Sequence, residues 1–261
     1  MSPVWDPQQY LRFDDERSRP FYDLVSRVRA DQPRLVADLG CGPGQLTASL
    51  AQRWPEAEVR GLDSSAEMIA AAGQYAAEAP GRLSFAEGDV RDWKPERPVD
   101  VIVSNALLQW VPGHEDLLPG WAQALAPGGW LAFQVPGNFD QPSHAIMREL
   151  AGSPRWRTAL ADVELNRQAR DPALYADLLS RAGCVVDAWE TTYLHILQGD
   201  DPVLEWYKGT GLRPVLTALD ADQAAEFLAE YGPRVRAAYP SRPYGTILPF
   251  RRVFVVARKA G

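Results

Sequence analysis

Apolar and polar positions follow two different periods along the first half of the chain. Short apolar runs, typical of strands buried on both faces, alternate with longer runs in which apolar residues recur at helical spacing. The short runs predict strands at 34–39, 57–62, 82–86, 99–104 and 130–135. The longer runs predict helices at 45–53, from Ser64 onward, and at about 114–125. Strands that alternate with helices predict an α/β fold with a parallel sheet and a ligand crevice at the carboxyl ends of the strands.

The alternation stops after about residue 136. Residues 136–170 carry prolines and dense charges without a clean helical period, and 198–248 hold many prolines with helical fragments. A helix at 172–181 and strands at 184–194 and 250–257 return to the sheet. We expect a single domain, 1–261, with a core of about 32–135, 171–197 and 249–258 and with lid segments of about 1–31, 136–170 and 198–248.

The first strand leads directly into a glycine-rich turn. Gly40, Gly42 and Gly44 occupy alternate positions there, after Asp38. Glycines let the backbone pass close to a ligand, and the amides of the following helix then face that ligand. A dinucleotide fingerprint would place its third glycine one residue later, where Gln45 stands. The turn therefore predicts a nucleotide-like cofactor and counts against NAD.

Acidic residues end the next two strands. Asp63 is placed to accept hydrogen bonds from both hydroxyls of a ribose. After the third strand, Asp89 is suited to the exocyclic amine of an adenine, and Val90 to one face of its ring. This order of strand ends predicts S-adenosylmethionine as the cofactor. The helix after Asp63 starts with the sequence Ser64–Glu67, which is typical of a capping box.

Composition limits the class of protein. The 261 residues are 46% hydrophobic, enough for a core, and the net charge of −7 argues against a nucleic-acid partner. We find no apolar run of membrane-spanning length, no signal-peptide pattern and no metal-ligand spacing in the sequence. The two cysteines, Cys41 and Cys184, predict free thiols. We therefore expect a cytoplasmic enzyme with no membrane, nucleic-acid or obligatory protein partner.

The motifs resemble those of class I S-adenosylmethionine-dependent methyltransferases and, within them, the trans-aconitate 2-methyltransferase family. The segments that carry this resemblance are Trp5–Pro7, Tyr10–Leu11, Asp38–Gly44, Asp63–Ser65, Ser104–Pro112, Pro142–His144 and Pro249–Phe254. The resemblance implies a Rossmann-like, seven-stranded sheet with helices on both faces. It also implies methyl transfer to a carboxylate of trans-aconitate. A different small carboxylic acid as acceptor, a non-catalytic cofactor sensor and, less favoured, an NAD-dependent oxidoreductase stay open as alternatives.

Esterification of a carboxylate requires no general base, because the acceptor is already ionised at neutral pH. We therefore expect no acid or base catalyst, but positioning by Asn105, Gln109 and Trp110. The expected cofactor-binding residues are Asp38, Gly40, Gly42, Gly44, Asp63, Ser64, Met68, Asp89, Val90 and Asn105. A polycarboxylate also needs a positive pocket, for which the planar guanidinium of arginine is suited. The expected substrate-binding residues are Tyr10, Arg17, Trp110, His144, Arg148 and Arg252.

Overall fold

The structure, a computed structural model, describes residues 14–79, 81–165 and 169–261. Two of the expected substrate-binding side chains, those of Tyr10 and Arg17, lie outside the described part. The described residues fall into two compact units. The sheet unit comprises Asp14–Pro136, Ala169–Thr191 and Arg252–Gly261, and the helical unit comprises 137–165 and Thr192–Arg251.

The elements follow the predicted alternation. The strands are β1 Leu35–Leu39, β2 Glu58–Asp63, β3 Leu83–Glu87, β4 Val99–Asn105, β5 Leu125–Pro136, β6 Cys184–Leu197, β7 Ser241–Arg242 and β8 Gly245–Lys259. The helices are α1 Asp14–Ser26, α2 Gln45–Arg53, α3 Ala66–Glu78, α4 Leu118–Ala124, α5 Pro142–Ala151, α6 Pro172–Arg181, α7 Pro202–Lys208, α8 Arg213–Ala218 and α9 Ala221–Ala238. Two short 3₁₀ turns, Leu108–Trp110 and His114–Asp116, follow β4.

The strands form one sheet in the order β3-β2-β1-β4-β5-β8-β6, and the two-residue β7 pairs with β8. Neighbouring strands from β3 to β5 are parallel, whereas β8 runs antiparallel to β5. The order of the strands reverses between β1 and β4, and such a switch point is where open α/β sheets bind ligands. The seven-stranded sheet of the prediction is therefore confirmed, with one short strand added.

The core of the sheet unit contains the residues that alternate along β5. Leu131, Phe133 and Val135 pack with side chains of α4 and α6, such as Trp121 and Tyr175. Because side chains alternate along a strand, the residues between them point to the other face. One of these is Gln134, a polar residue with no exposed surface in a strand that is otherwise apolar. Its side chain bonds to Asn105 and to Arg252.

The prediction of an irregular segment after residue 136 was wrong for α5. The prolines of this segment argued against a helix, but Pro142 stands in the first turn, where proline is tolerated because its missing N–H has no partner anyway. The buried residues of this helix recur at helical spacing, at Ser143, His144, Met147 and Leu150.

The helical unit has its own core around Trp206, Tyr207, Phe227 and Tyr231.

The helix predicted at about 114–125 is shorter in the structure than in the prediction. Its first part is the 3₁₀ turn His114–Asp116, and α4 ends at Ala124. Strand β5 then begins at Leu125 instead of Trp130, because Leu125 pairs with Val99 before a register shift. The glycine-containing stretch that was expected to separate helix from strand is therefore an irregularity inside the strand.

Candidate cofactor and acceptor site

The glycine turn between β1 and α2 has left-handed backbone at all three glycines, with φ of +80° at Gly40, +54° at Gly42 and +85° at Gly44. A Cβ on Gly44 would lie 2.7 Å from the Cβ of Ala72, so this glycine lets α3 pack closely. A Cβ on Gly42 would meet no heavy atom of the described residues within 4 Å, its chain neighbours apart. Gly44 serves packing, whereas Gly42 leaves open space beside the backbone.

Asp63 joins this turn to the start of α3. Its Oδ2 accepts a hydrogen bond from the amide of Gly42, and its Oδ1 accepts one from the amide of Ser65, both at 2.9 Å. A carboxylate oxygen has two lone pairs, so each still has capacity for a hydroxyl. The neighbouring Ser64 is exposed and Met68 is buried. The carboxylate is thus fixed in place by backbone groups.

The same contact corrects the predicted capping box. The N-cap is Ser65, whose hydroxyl oxygen accepts from the amide of Met68 at 3.2 Å. The reciprocal bond is missing, because the Ser65 amide donates to Asp63, and Glu67 instead accepts from the Ser65 hydroxyl at 2.8 Å. Asp63 therefore takes the place that Glu67 would have in a capping box.

Asp38 is a buried carboxyl at the end of β1, with 2% of its surface exposed. Its Oδ2 accepts from the hydroxyl of Thr47 at 2.6 Å, and its Oδ1 has no hydrogen-bond partner within the described residues. Burial raises the pKa of Asp38 to about 7; Asp63 also raises it, and the Thr47 hydrogen bond opposes the rise. The sequence analysis missed Thr47, although a polar residue on the apolar side of α2 is a usable signal. The buried carboxyl with one unused oxygen suits a cationic group.

Cys41 stands in the glycine turn, between Gly40 and Gly42, and is buried. Burial raises the pKa of its thiol, and the neighbouring Asp38 and Asp63 raise it further. The thiol therefore stays protonated and is a poor nucleophile.

The third strand end has a partner that the sequence analysis did not foresee. The backbone amide and the guanidinium Nε of Arg91 both donate to the Asp89 Oδ1, each at 2.9 Å. Hydrogen bonding from Arg91 lowers the pKa of Asp89, so this carboxylate stays ionised. Val90, beside it, is buried.

The segment after β4 has strained backbone. Ala106 has φ of +54°, which is unusual for a residue with a side chain. Its amide donates to the carbonyl of Gln134 at 3.0 Å, and its carbonyl accepts from Gln109 Nε2. The Oε1 of Gln109 is buried and has no hydrogen-bond partner within the described residues. Asn105, Gln109 and Trp110, the expected positioning residues, are thus close in sequence and half-buried.

Arg252 is buried in the sheet unit, with 4% of its surface exposed. Its Nη1 donates to Gln134 Oε1 at 3.1 Å, and Gln134 Nε2 donates to Asn105 Oδ1 at 2.6 Å. The structure therefore brings Arg252 and Asn105 together through a residue that the sequence analysis missed. The signal that was overlooked is a glutamine within an apolar strand.

The other two described substrate candidates lie in the helical unit. His144 is buried, and the centroid of its ring lies 5.1 Å from the ring centroid of Phe139 and 5.1 Å from that of Tyr207. Arg148 donates from Nη1 to the carbonyl of Phe139 at 2.8 Å. A buried hydrogen bond of 2.9 Å also joins Asn138 Nδ2 to the hydroxyl of Tyr207. His144 and Arg148 are therefore near each other on α5.

Comparison with known proteins identifies the class first. The family model described as "Methyltransferase domain" matches residues 36–129, from β1 into β5. The crystal structure of the cyclase SpnF is similar with a TM-score of 0.59 and 16% sequence identity, covering 99% of this chain and 87% of that one. At that identity the likeness concerns the fold alone.

Two curated relatives identify the family. A trans-aconitate 2-methyltransferase of Streptomyces avermitilis is 58% identical, over 98% of this chain and 97% of the relative. Another of that name, from Streptomyces coelicolor, is 57% identical over 99% of this chain and 88% of the relative. The chain belongs to the trans-aconitate 2-methyltransferase family. The resemblance inferred from the sequence motifs is thereby confirmed, and the oxidoreductase alternative loses its support.

Within the described residues there is no group of three or more His, Cys, Asp or Glu side chains that could hold a metal ion. No helix in the described ranges is both long and apolar enough to cross a membrane.

Proposed function

We propose that this chain transfers the methyl group of S-adenosylmethionine to a carboxylate of trans-aconitate and so forms a methyl ester. The observation that carries the proposal is the 58% identity, over nearly the whole of both chains, to a relative named for this activity. The sheet is compatible with it, because Asp38 and Asn105 lie at the ends of β1 and β4, the two strands that flank the switch point.

The residues at the ends of β1 and β2 fit the cofactor. We propose that the Asp63 carboxylate, held by two amides, accepts from the ribose hydroxyls, and that the open side of Gly42 admits the ligand. The unused oxygen of Asp38 suits the ammonium group of the methionine part. The other proposed cofactor contacts are Gly40, Gly44, Ser64, Met68, Asp89 and Val90, whereas for Asn105, which was also expected here, we propose a contact with the acceptor.

The chemistry asks little of the chain beyond positioning. S-adenosylmethionine supplies a methyl group that its sulfonium already activates, and the acceptor carboxylate is ionised at neutral pH. The chain has to hold the carboxylate oxygen in line with the methyl group and to exclude water. Correct alignment of two reactants is worth about 7–11 kcal/mol of the barrier. We propose that Asn105, Gln109 and Trp110 contribute to this alignment.

Three negative charges on the acceptor call for donors and positive charge. We propose contacts from Tyr10, Arg17, Trp110, His144 and Arg148. We propose the same of Arg252, whose guanidinium has further donors besides the one that it gives to Gln134. That 1–31, 136–170 and 198–248 serve as a lid stays a prediction.

We further propose that the enzyme works in the cytoplasm on a small polycarboxylate, without an obligatory protein partner. The negative net charge of −7 supports a small-molecule acceptor over nucleic acid.

The direct test is a methyl-transfer assay with S-adenosylmethionine that carries a labelled methyl group. The panel should include trans-aconitate, its cis isomer, citrate, and simple mono- and dicarboxylic acids, with Asp63→Ala as the inactive control. We expect label in a base-labile ester of trans-aconitate. Labelling of another acid with trans-aconitate left untouched would replace the proposed acceptor, and label in no acid would overturn the proposal.

A further inference from the structure

A row of side chains joins the carboxyl ends of β4 and β5 to the middle of the antiparallel β8. Arg252 on β8 donates to Gln134 on β5, and Gln134 donates to Asn105 on β4. Arg252 and Gln134 are buried, whereas Asn105 is half-buried. The row is short, continuous and contained in the sheet unit.

The direction of the hydrogen bonds in this row is fixed by chemistry. An amide can exchange its oxygen and its NH₂ group by a half turn, so its orientation depends on its neighbours. A guanidinium has only donors and keeps its charge, so Gln134 must turn its oxygen to Arg252. The NH₂ group of Gln134 then faces Asn105, which must accept with its own oxygen. The Asn105 NH₂ group is left over, and it donates to no other described residue.

Asn105 lies where its NH₂ group can reach a bound ligand. Asn105 ends β4, the strand next to β1 at the point where the strand order reverses. The preceding Ser104 donates to the carbonyl of Leu39 at 2.9 Å, and the side chain of Leu107 lies against Gly40. Asn105 is therefore beside the glycine turn, in the crevice where ligands bind in such sheets.

We propose that Gln134, oriented by Arg252, is a positioning residue that presents the NH₂ group of Asn105 to the acceptor. The inference rests on the proposed function, in which the acceptor is a carboxylate. A presented donor favours acceptors that turn an oxygen lone pair toward it, as a carboxylate does, and it disfavours acceptors that present only an N–H donor. Arg252 thus influences the chemical class of the acceptor through Gln134 and Asn105.

Two substitutions of Gln134 separate this role from a structural one. In Gln134→Glu the new carboxylate still accepts from Arg252 but has no donor, so Asn105 must turn its NH₂ group inward and its oxygen toward the acceptor. In Gln134→Met both hydrogen bonds are lost and Asn105 is free to rotate. We expect Q134E to lower kcat/KM for trans-aconitate about ten- to hundred-fold, and Q134M to lower it less. Thermal unfolding should show the reverse order, with Q134M less stable than Q134E.

The controls are the exposed Gln74→Glu and the binding of S-adenosylmethionine. Gln74 lies on α3, and its substitution makes the same chemical change away from the row. We expect Q74E to match the unsubstituted enzyme, and the cofactor Kd of Q134E to stay within about twofold. If Q134M lost more activity than Q134E, in step with its stability, the role would be structural only. If affinity for the cofactor fell as much as that for trans-aconitate, Asn105 would serve the cofactor, and the inference would fail.

A spectroscopic arm tests the orientation independently of the acceptor. In protein labelled with ¹⁵N-asparagine, the Asn105 NH₂ resonances are assigned by their loss in Asn105→Asp. We expect Q134E to shift these resonances downfield, because the NH₂ group then donates to a carboxylate, and Q74E to leave them in place. Unchanged resonances in Q134E would overturn the relay. Absence of ester formation by the unsubstituted enzyme would overturn only the proposed function.

Discussion

At the ends of β1 and β2 the site is made mainly by backbone, whereas at the ends of β4 and β5, next to the middle of β8, it is made by side chains. In the first region Asp63 is held by two amides, and Gly42 offers a bare main chain. In the second region a guanidinium and two amide side chains determine one another's orientation. The first region suits a cofactor that every turnover shares, and the second suits the choice of an acceptor.

This difference has a consequence for substitution. A site made by backbone tolerates change in most side chains and fails when a glycine or its one anchoring carboxylate is replaced. A site made by a chain of side chains can be reversed in polarity by one isosteric change. Substitutions in the two regions should therefore differ in whether they change cofactor binding or the turnover of the acceptor.

Replacement of Asp63 should have the largest effect on cofactor binding. Asp63→Ala removes the acceptor of the Gly42 and Ser65 amides together with the proposed ribose contact. We expect the Kd for S-adenosylmethionine to rise at least about 100-fold, because hydrogen bonds to a charged group are worth about 1.5–3 kcal/mol each. Isothermal titration calorimetry measures this, with the exposed Asp200→Ala as control. An unchanged Kd in D63A would refute the role of the carboxylate.

Two glycine substitutions should separate packing from ligand access. Gly44→Ala brings a methyl group within 2.7 Å of Ala72 and strains a residue at φ +85°, so we expect a loss of about 2–3 kcal/mol in the free energy of unfolding. In Gly42→Ala the new methyl group meets no neighbouring side chain, so the substitution costs only about 1 kcal/mol of backbone strain. The methyl group nevertheless occupies the space in which we propose that the cofactor binds, so the Kd for the cofactor should rise. Urea unfolding and cofactor titration of both variants provide the check. G42A that binds the cofactor normally would contradict the assignment.

The pH dependence of stability should reveal the buried Asp38. Because its pKa is raised to about 7 in the folded chain, the folded state holds a proton that the unfolded state has lost between about pH 4 and pH 7. Stability from this group is therefore lost as pH rises through that window, by up to about 1.4 kcal/mol for each pH unit.

The measurement is urea unfolding of the unsubstituted protein and of Asp38→Asn at pH 5 and pH 8. D38N should lose less stability between these pH values. Thr47→Val, which removes the hydrogen bond that opposes the rise in the pKa of Asp38, should lose more. Parallel pH profiles for all three proteins would mean that Asp38 is ionised throughout.

The smallest effect is expected from Gln109. Gln109→Met removes a hydrogen bond to the Ala106 carbonyl, but it also removes a buried oxygen with no hydrogen-bond partner in the described chain. These changes offset one another, so we expect the free energy of unfolding to change by less than about 1 kcal/mol. The value of kcat/KM for trans-aconitate should fall a few-fold while the cofactor Kd stays constant. A loss confined to cofactor binding would move Gln109 from the second region to the first.

Local sequence patterns indicate the elements of the first region but not the connection in the second, for a physical reason. The glycine turn and Asp63 lie at strand ends that follow one another along the chain, so local patterns indicate them. Gln134 is 29 residues from Asn105 and 118 from Arg252, and only the register of β4, β5 and β8 brings them together. Helix α5 was missed for a local reason, because the prolines and charges of 136–170 hide its helical period, although Pro142 stands in the first turn, where proline is tolerated.

The hydrogen bonds from the Gly42 and Ser65 amides to Asp63 make the exchange of these two amide protons a measure of how firmly the carboxylate is held. One carboxylate fixes the glycine turn and also satisfies the first amide of α3. Any ligand that tightens Asp63 must slow the opening of both attachments together. Amide hydrogen exchange at Gly42 and Ser65 should therefore slow by a common factor when S-adenosylmethionine is added, so that two residues 23 positions apart report one event.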